Sequence, residues 1–133
     1  RRFNLAAAAL LAGLAGGAVA QAGDPLAVSL DAARAALADG RTVVFDIREP
    51  QEHATGVAAG MRLLPMSQIG ARLAEIPKSA DQPVLLICNT QNRSRKVAEA
   101  LRERGYTQVR YVVGGMSTWA AKGWPLVPPG PKK

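Results

Sequence analysis

The feature that most constrains this chain is the run Val84-Leu85-Leu86-Ile87-Cys88, with Pro83 before it and polar Asn89-Thr90-Gln91-Asn92 after it. An apolar run with no polar break leaves no side for solvent. It therefore reads as a strand buried on both faces, near the centre of a sheet. Thr42-Val43-Val44-Phe45-Asp46-Ile47 has the same character and is rich in β-branched residues. Val109 to Val113 is a further strand, and Arg62-Leu63-Leu64 a brief edge strand.

Helical patterns alternate with these runs. Ser29 is placed to cap a helix over Asp31–Leu37, ended by Asp39-Gly40. Pro50 opens a short helix through Ala54 that closes near Gly56. A helix is predicted over Ser67–Glu75, stopped by Pro77. From Ser94 to Arg104, Val97, Ala98 and Leu101 recur at helical spacing, with Gly105 as the stop. Gly114-Gly115 turns into a last helix through Lys122. This alternation predicts an α/β fold, a small mainly parallel sheet with helices on both faces. Residues 28–127 form that domain, 21–27 a short linker and 128–133 an irregular tail of Pro and Lys.

Residues 1–20 have a different composition. Arg1 and Arg2 precede an uncharged run from Leu5 to Ala20, and Ala18-Val19-Ala20 supplies a small-x-small exit. That is the pattern of a secretory signal peptide. The run is mostly Ala and Gly and is short for a retained span. The expectation is cleavage, no stable membrane span afterwards, and export to a bacterial periplasm. The residues leave the general and twin-arginine routes both open.

Without Arg1 and Arg2 the net charge falls from +7 to +5. Arg93, Arg95, Lys96, Arg102, Arg104 and Arg110 cluster against only Glu99 and Glu103. No aromatic residues interleave them, which argues against nucleic acid as a partner. A surface that attracts small anions fits better. For Arg102 and Arg104 a solvated helix face reads as well.

Cys88 is the only cysteine, so no internal disulfide can form. It ends a buried strand just before a helix, where open α/β sheets bind ligands. Loop N–H groups and a helix N-terminus together make an anion cradle there. A thiol in such a cradle is shifted toward the reactive thiolate. A buried packing cysteine is the alternative that position alone leaves open.

Cys88-Asn89-Thr90-Gln91-Asn92-Arg93-Ser94 resembles the active-site loop of the rhodanese sulfurtransferases, a six-residue loop begun by the catalytic Cys. Asp46-Ile47-Arg48-Glu49-Pro50 is similar to that family's Asp-x-Arg-Glu-Pro segment. Gly56 and Gly60 fall where the family has Gly-His-Ile-Pro-Gly, here Gly56-Val57-Ala58-Ala59-Gly60. Arg104-Gly105-Tyr106, and Gly114-Gly115-Met116 through Trp119, resemble two later motifs. The match spans roughly residues 28–127. Gln91 stands where the family often has Gly, and Asn89 where Arg is frequent.

The resemblance implies a thiosulfate-type sulfurtransferase. Cys88 would take a sulfane sulfur from thiosulfate or a similar donor as a persulfide and pass it to cyanide or a thiol. Asn89, Thr90, Gln91, Asn92, Arg93 and Ser94 would bind the substrate, through loop N–H groups and Arg93 as the anion-steering side chain. Asp46 and Arg48 would support the wall of the site. No cofactor and no metal are expected; one His and one Cys are too few for a zinc site. The sole histidine, His53, is placed on a surface helix in a structural or solvated role. The alternative function is a persulfide carrier that serves a protein acceptor and turns over small donors poorly. A Cys-x5-Arg phosphatase loop needs Arg at position 94, where this chain has Ser94.

Overall fold

The computed structural model describes residues 23–130. The expected signal peptide, the first residues of the expected linker and the end of the tail lie outside them. Among the described residues no helix is long and apolar enough to cross a membrane.

Five strands form one sheet: β1 (Ala27–Val28), β2 (Val43–Asp46), β3 (Arg62–Leu63), β4 (Val84–Ile87) and β5 (Val109–Val112). Their order is β1-β5-β4-β2-β3, and every pairing is parallel. The apolar run before Cys88 is thus the central strand, as two-sided burial requires. Side-chain alternation divides its residues between two cores. Val84, Leu86 and Cys88 join one, with Phe45, Leu101 and Tyr111, while Leu85 and Ile87 join the other, with Val44, Met116 and Trp119.

Among the described residues four helices complete the layers: α1 (Leu30–Asp39), α2 (Pro50–His53), α3 (Asn92–Glu103) and α4 (Gly115–Ala121). Ser29 caps α1 by accepting from the Ala32 N–H at 3.1 Å, and Gly40 ends it in the left-handed conformation, φ 74°. Ala98 and Leu101 carry α3 onto the Cys88 face, whereas Leu30 and Ala33 of α1 and Met116 and Trp119 of α4 cover the opposite one.

Several elements differ from the sequence reading. The helix over Ser67–Glu75 is instead two 3-10 turns, Met66–Gln68 and Leu73–Glu75. Gly70 falls between them, and Pro65 and Pro77 leave too short a stretch to offset its cost. Helix α3 starts at Asn92 rather than Ser94, so the loop after Cys88 is shorter than expected and Ser94 lies in the first turn. Strand β1 has no counterpart in the sequence reading, and it joins Ala27 to Tyr111 and Val28 to Val112 across the sheet. The chain beyond α4 is irregular but pinned. The Trp119 indole donates to the Pro125 carbonyl at 3.1 Å, and Val127 pairs with Val57.

Candidate active site

Cys88 follows β4 directly, so its side chain points to the same face as Leu86, beneath the start of α3. The residue is 1% exposed, so its sulfur is recessed under the loop. Ser94 holds it from two sides. Its backbone N–H donates to Cys88 Sγ at 3.4 Å, and the thiol donates to Ser94 Oγ at 3.4 Å. Ser94 Oγ in turn donates to the Gln91 carbonyl at 3.3 Å. A thiolate in place of the thiol would find a peptide N–H, a hydroxyl and the positive end of α3 around it. Among the described residues, the N–H groups of Asn89 to Arg93 have no hydrogen-bond partner.

The loop carbonyls are turned the other way. Cys88 O accepts from the Met116 N–H at 2.8 Å, and Asn89 O from the Ser117 N–H at 2.9 Å. The first turn of α4 thereby uses its free donors to fix the orientation of the loop peptides. Gly115 makes that approach possible: a Cβ there would stand 2.3 Å from Thr90 O and 2.5 Å from Asn89 O. Its φ of +61° also suits glycine. This is the physical reason for the Gly-Gly pair in the sequence.

Gln91 sits at φ −152°, a conformation that tolerates a side chain. Its Oε1 accepts from the Gly114 N–H at 3.1 Å, which fastens the loop to the N-cap of α4. The amide is directed to that helix and braces the loop.

Asp46 and Arg48 stand behind the site, 0% and 4% exposed. Arg48 Nε donates to Asp46 Oδ1 at 3.0 Å and Nη2 to Oδ2 at 2.6 Å, a fork on a carboxylate. Nη2 also donates to the Gly56 carbonyl at 2.9 Å, tying the end of β2 to the turn after α2. Both side chains are thus engaged with each other and with the backbone. His53 ends α2 but is not solvated; it is 4% exposed, with Nε2 3.2 Å from the Asp46 carbonyl oxygen, which leaves it a structural role. Four-residue α2 is folded back over the strand end, so its last residue is trapped against Asp46.

Arg93 does not point alone toward an incoming anion. Its Nη1 and Nη2 donate to Glu52 Oε1 and Oε2, both at 2.8 Å. The guanidinium holds the Glu52 carboxyl down at about 2, with a further contribution from the Glu49 N–H. Glu52 raises the Arg93 pKa in return, and the nearby Cys88 sulfur adds to that rise. Glu52 is the site-adjacent residue the sequence reading missed. Its signal was local: Glu49 and Glu52 stand at the N-cap and N3 of α2 and form a capping box there.

The rest of the basic cluster is dispersed. Arg102 bonds the Thr107 carbonyl, Arg110 donates to the Pro25 carbonyl at 3.2 Å, and Arg95 lies 3.9 Å from Glu99. Among the described residues no group of His, Cys, Asp and Glu could hold a metal ion.

Residues 29–122 match the family model of the rhodanese-like domain. A sulfurtransferase from Allochromatium vinosum is 39% identical over 94 residues, covering 70% of this chain and 86% of that protein. The human thiosulfate:glutathione sulfurtransferase is 32% identical over 107 residues, covering 71% and 93%. Among solved structures, a rhodanese-like domain protein from Staphylococcus aureus superimposes with a TM-score of 0.67 at 26% identity, covering 78% of this chain and 98% of that one. The human single-domain sulfurtransferase does so with a TM-score of 0.61 at 27% identity, covering 73% and 96%. With the family model matched over residues 29–122 and the parallel sheet shared with these structures, the chain belongs to the rhodanese-like family, which includes the two sulfurtransferase relatives named above.

Proposed function

We propose that this protein transfers a sulfane sulfur from thiosulfate or a similar donor to a thiophilic acceptor, through a persulfide on Cys88. The observation that carries this reading is the Ser94 N–H donating to Cys88 Sγ, with the Ser94 hydroxyl against the same sulfur, at the N-terminus of α3. The N–H, and the hydroxyl once it turns from the Gln91 carbonyl to the deprotonated sulfur, stabilise a sulfur anion, first the thiolate and then the terminal sulfur of the persulfide. The thiolate attacks the outer sulfur of thiosulfate, the S–S bond to the sulfonate breaks, and sulfite leaves with the bonding pair. Cyanide or a thiolate then attacks the terminal persulfide sulfur and returns Cys88 as thiolate. No cofactor enters either step. The likeness to a thiosulfate:glutathione sulfurtransferase supports a small thiol as acceptor.

Thiocyanate formation from thiosulfate and cyanide tests this reading. Turnover is expected in the wild type and absent in Cys88→Ser. Turnover that survives Cys88→Ser removes the reading. Persulfide formed only from a persulfidated protein, with no small-donor turnover, selects the carrier alternative.

We propose further that the protein works in a bacterial periplasm. The cationic, apolar and small-residue pattern of residues 1–20 supports this. Fractionation of cells making the full chain should place a shortened form outside the cytoplasm.

A further inference from the structure

We infer that Glu52 sets the charge preference for donors: by occupying both terminal nitrogens of Arg93, it favours low-charge sulfane donors over dianionic thiosulfate. The inference rests on the sulfur-transfer reading and concerns which donor suits the same site.

Arg93 is the cation nearest the loop in sequence, and its field reaches Cys88. Its partner is held from several directions. Glu52 receives both guanidinium bonds at 2.8 Å and the Glu49 N–H at 2.9 Å. The Glu49 carboxylate is itself fixed by the Ser67 N–H at 2.9 Å and the Ser67 hydroxyl at 2.7 Å. Arg48 is consumed by Asp46. Where α2 meets the loop, the charges are therefore a pair of zero net charge, Arg93 with Glu52, and a further carboxylate on Glu49, with Arg95 and Lys96 following along α3. The Arg93–Glu52 pair is partly open to solvent, 31% and 30% exposed, and Arg93 adjoins Ser94, which bonds Cys88 Sγ. Glu52 stays ionised throughout the neutral range, so the pair does not open by titration. A dianion approaching Arg93 meets a carboxylate already seated, and pays repulsion proportional to its own charge. A monoanionic donor pays half of that.

The test compares thiosulfate with methanethiosulfonate, a monoanion that yields its sulfane sulfur by the same displacement with methanesulfinate as leaving group. Glu52→Gln keeps an oxygen for the Glu49 N–H, so the capping box survives while the charge goes. Expected is a KM for thiosulfate lower by about 5-fold, the size of one charge acting on a dianion across a wet surface. For methanethiosulfonate the drop is about 2-fold, with kcat little changed for either. Glu52→Asp, which keeps the charge, should stay near wild type. The gain should vanish in the double variant Glu52→Gln/Arg93→Gln and shrink at high salt. An unchanged or raised KM for thiosulfate, or an equal change for both donors, overturns the inference and leaves Cys88 chemistry standing. No turnover of either donor by the wild type removes the underlying reading as well, which separates the two failures.

Discussion

Gly115 lies against Thr90 so closely that a Cβ built on it would stand 2.3 Å from the Thr90 carbonyl oxygen. The neighbour is backbone, and it belongs to the loop that holds Cys88, so it cannot swing aside as a side chain could. Gly115→Ala should therefore shift the loop, break the Met116-to-Cys88 bond and disfavour the left-handed backbone at once. Expected is a loss of at least about 2 kcal/mol of stability in urea unfolding and near-complete loss of sulfur transfer. Wild-type activity in a Gly115→Ala protein would mean the loop is not seated by α4.

Ser94→Ala separates the hydroxyl from the peptide N–H. The backbone donor to Cys88 Sγ remains, while the hydroxyl that accepts from the thiol and donates to the Gln91 carbonyl is lost. Removal of one of several donors to a developing anion should lower kcat/KM on the order of 10-fold. An unchanged kcat/KM in Ser94→Ala would remove the hydroxyl from the chemistry.

Asp46→Asn leaves the Arg48 guanidinium buried beside a neutral amide. Breaking one partner of a buried pair costs about 3–5 kcal/mol. Thermal unfolding should move sharply down, whereas Asp46→Asn activity below the new transition should fall far less, since the two side chains bond each other and the Gly56 carbonyl. Activity abolished in a fully folded Asp46→Asn protein would instead give Asp46 a direct part in the chemistry.

The Arg93–Glu52 pair also shapes acid stability. Glu52 has its carboxyl held at about 2, against an ordinary value of 4.5. A depressed carboxyl stabilises the fold above its unfolded value and loses that contribution as pH falls through the folded one. Stability should thus decline between about pH 5 and pH 2, and Glu52→Gln should flatten that part of the curve. The contribution is modest, since the pair is partly solvated. Urea midpoints measured across this range check it.

What could be read from the residues alone followed from local physics. The apolar run before Cys88 could only be a central strand, and Ser29 and Gly40 bounded α1 because caps are local. Glycines 114 and 115 marked a turn, although not the close contact that explains them. The remainder depended on contacts between distant segments. Strand β1 has two residues, too few for any period, and exists because Tyr111 and Val112 offer it an edge. His53 looks like a solvated helix residue until α2 folds over Asp46. Arg93 and Glu52 are 41 residues apart, so nothing in either segment reports that the steering cation is already paired.

The central claim is that Cys88 carries the transferred sulfur, and intact mass measures it directly. Protein mixed with thiosulfate and freed of excess donor should gain the mass of one sulfur atom, lose it on addition of cyanide, and show no gain as Cys88→Ser. A protein that takes up no sulfur from thiosulfate, methanethiosulfonate or polysulfide, or a Cys88→Ser variant that gains the same mass, would contradict the account.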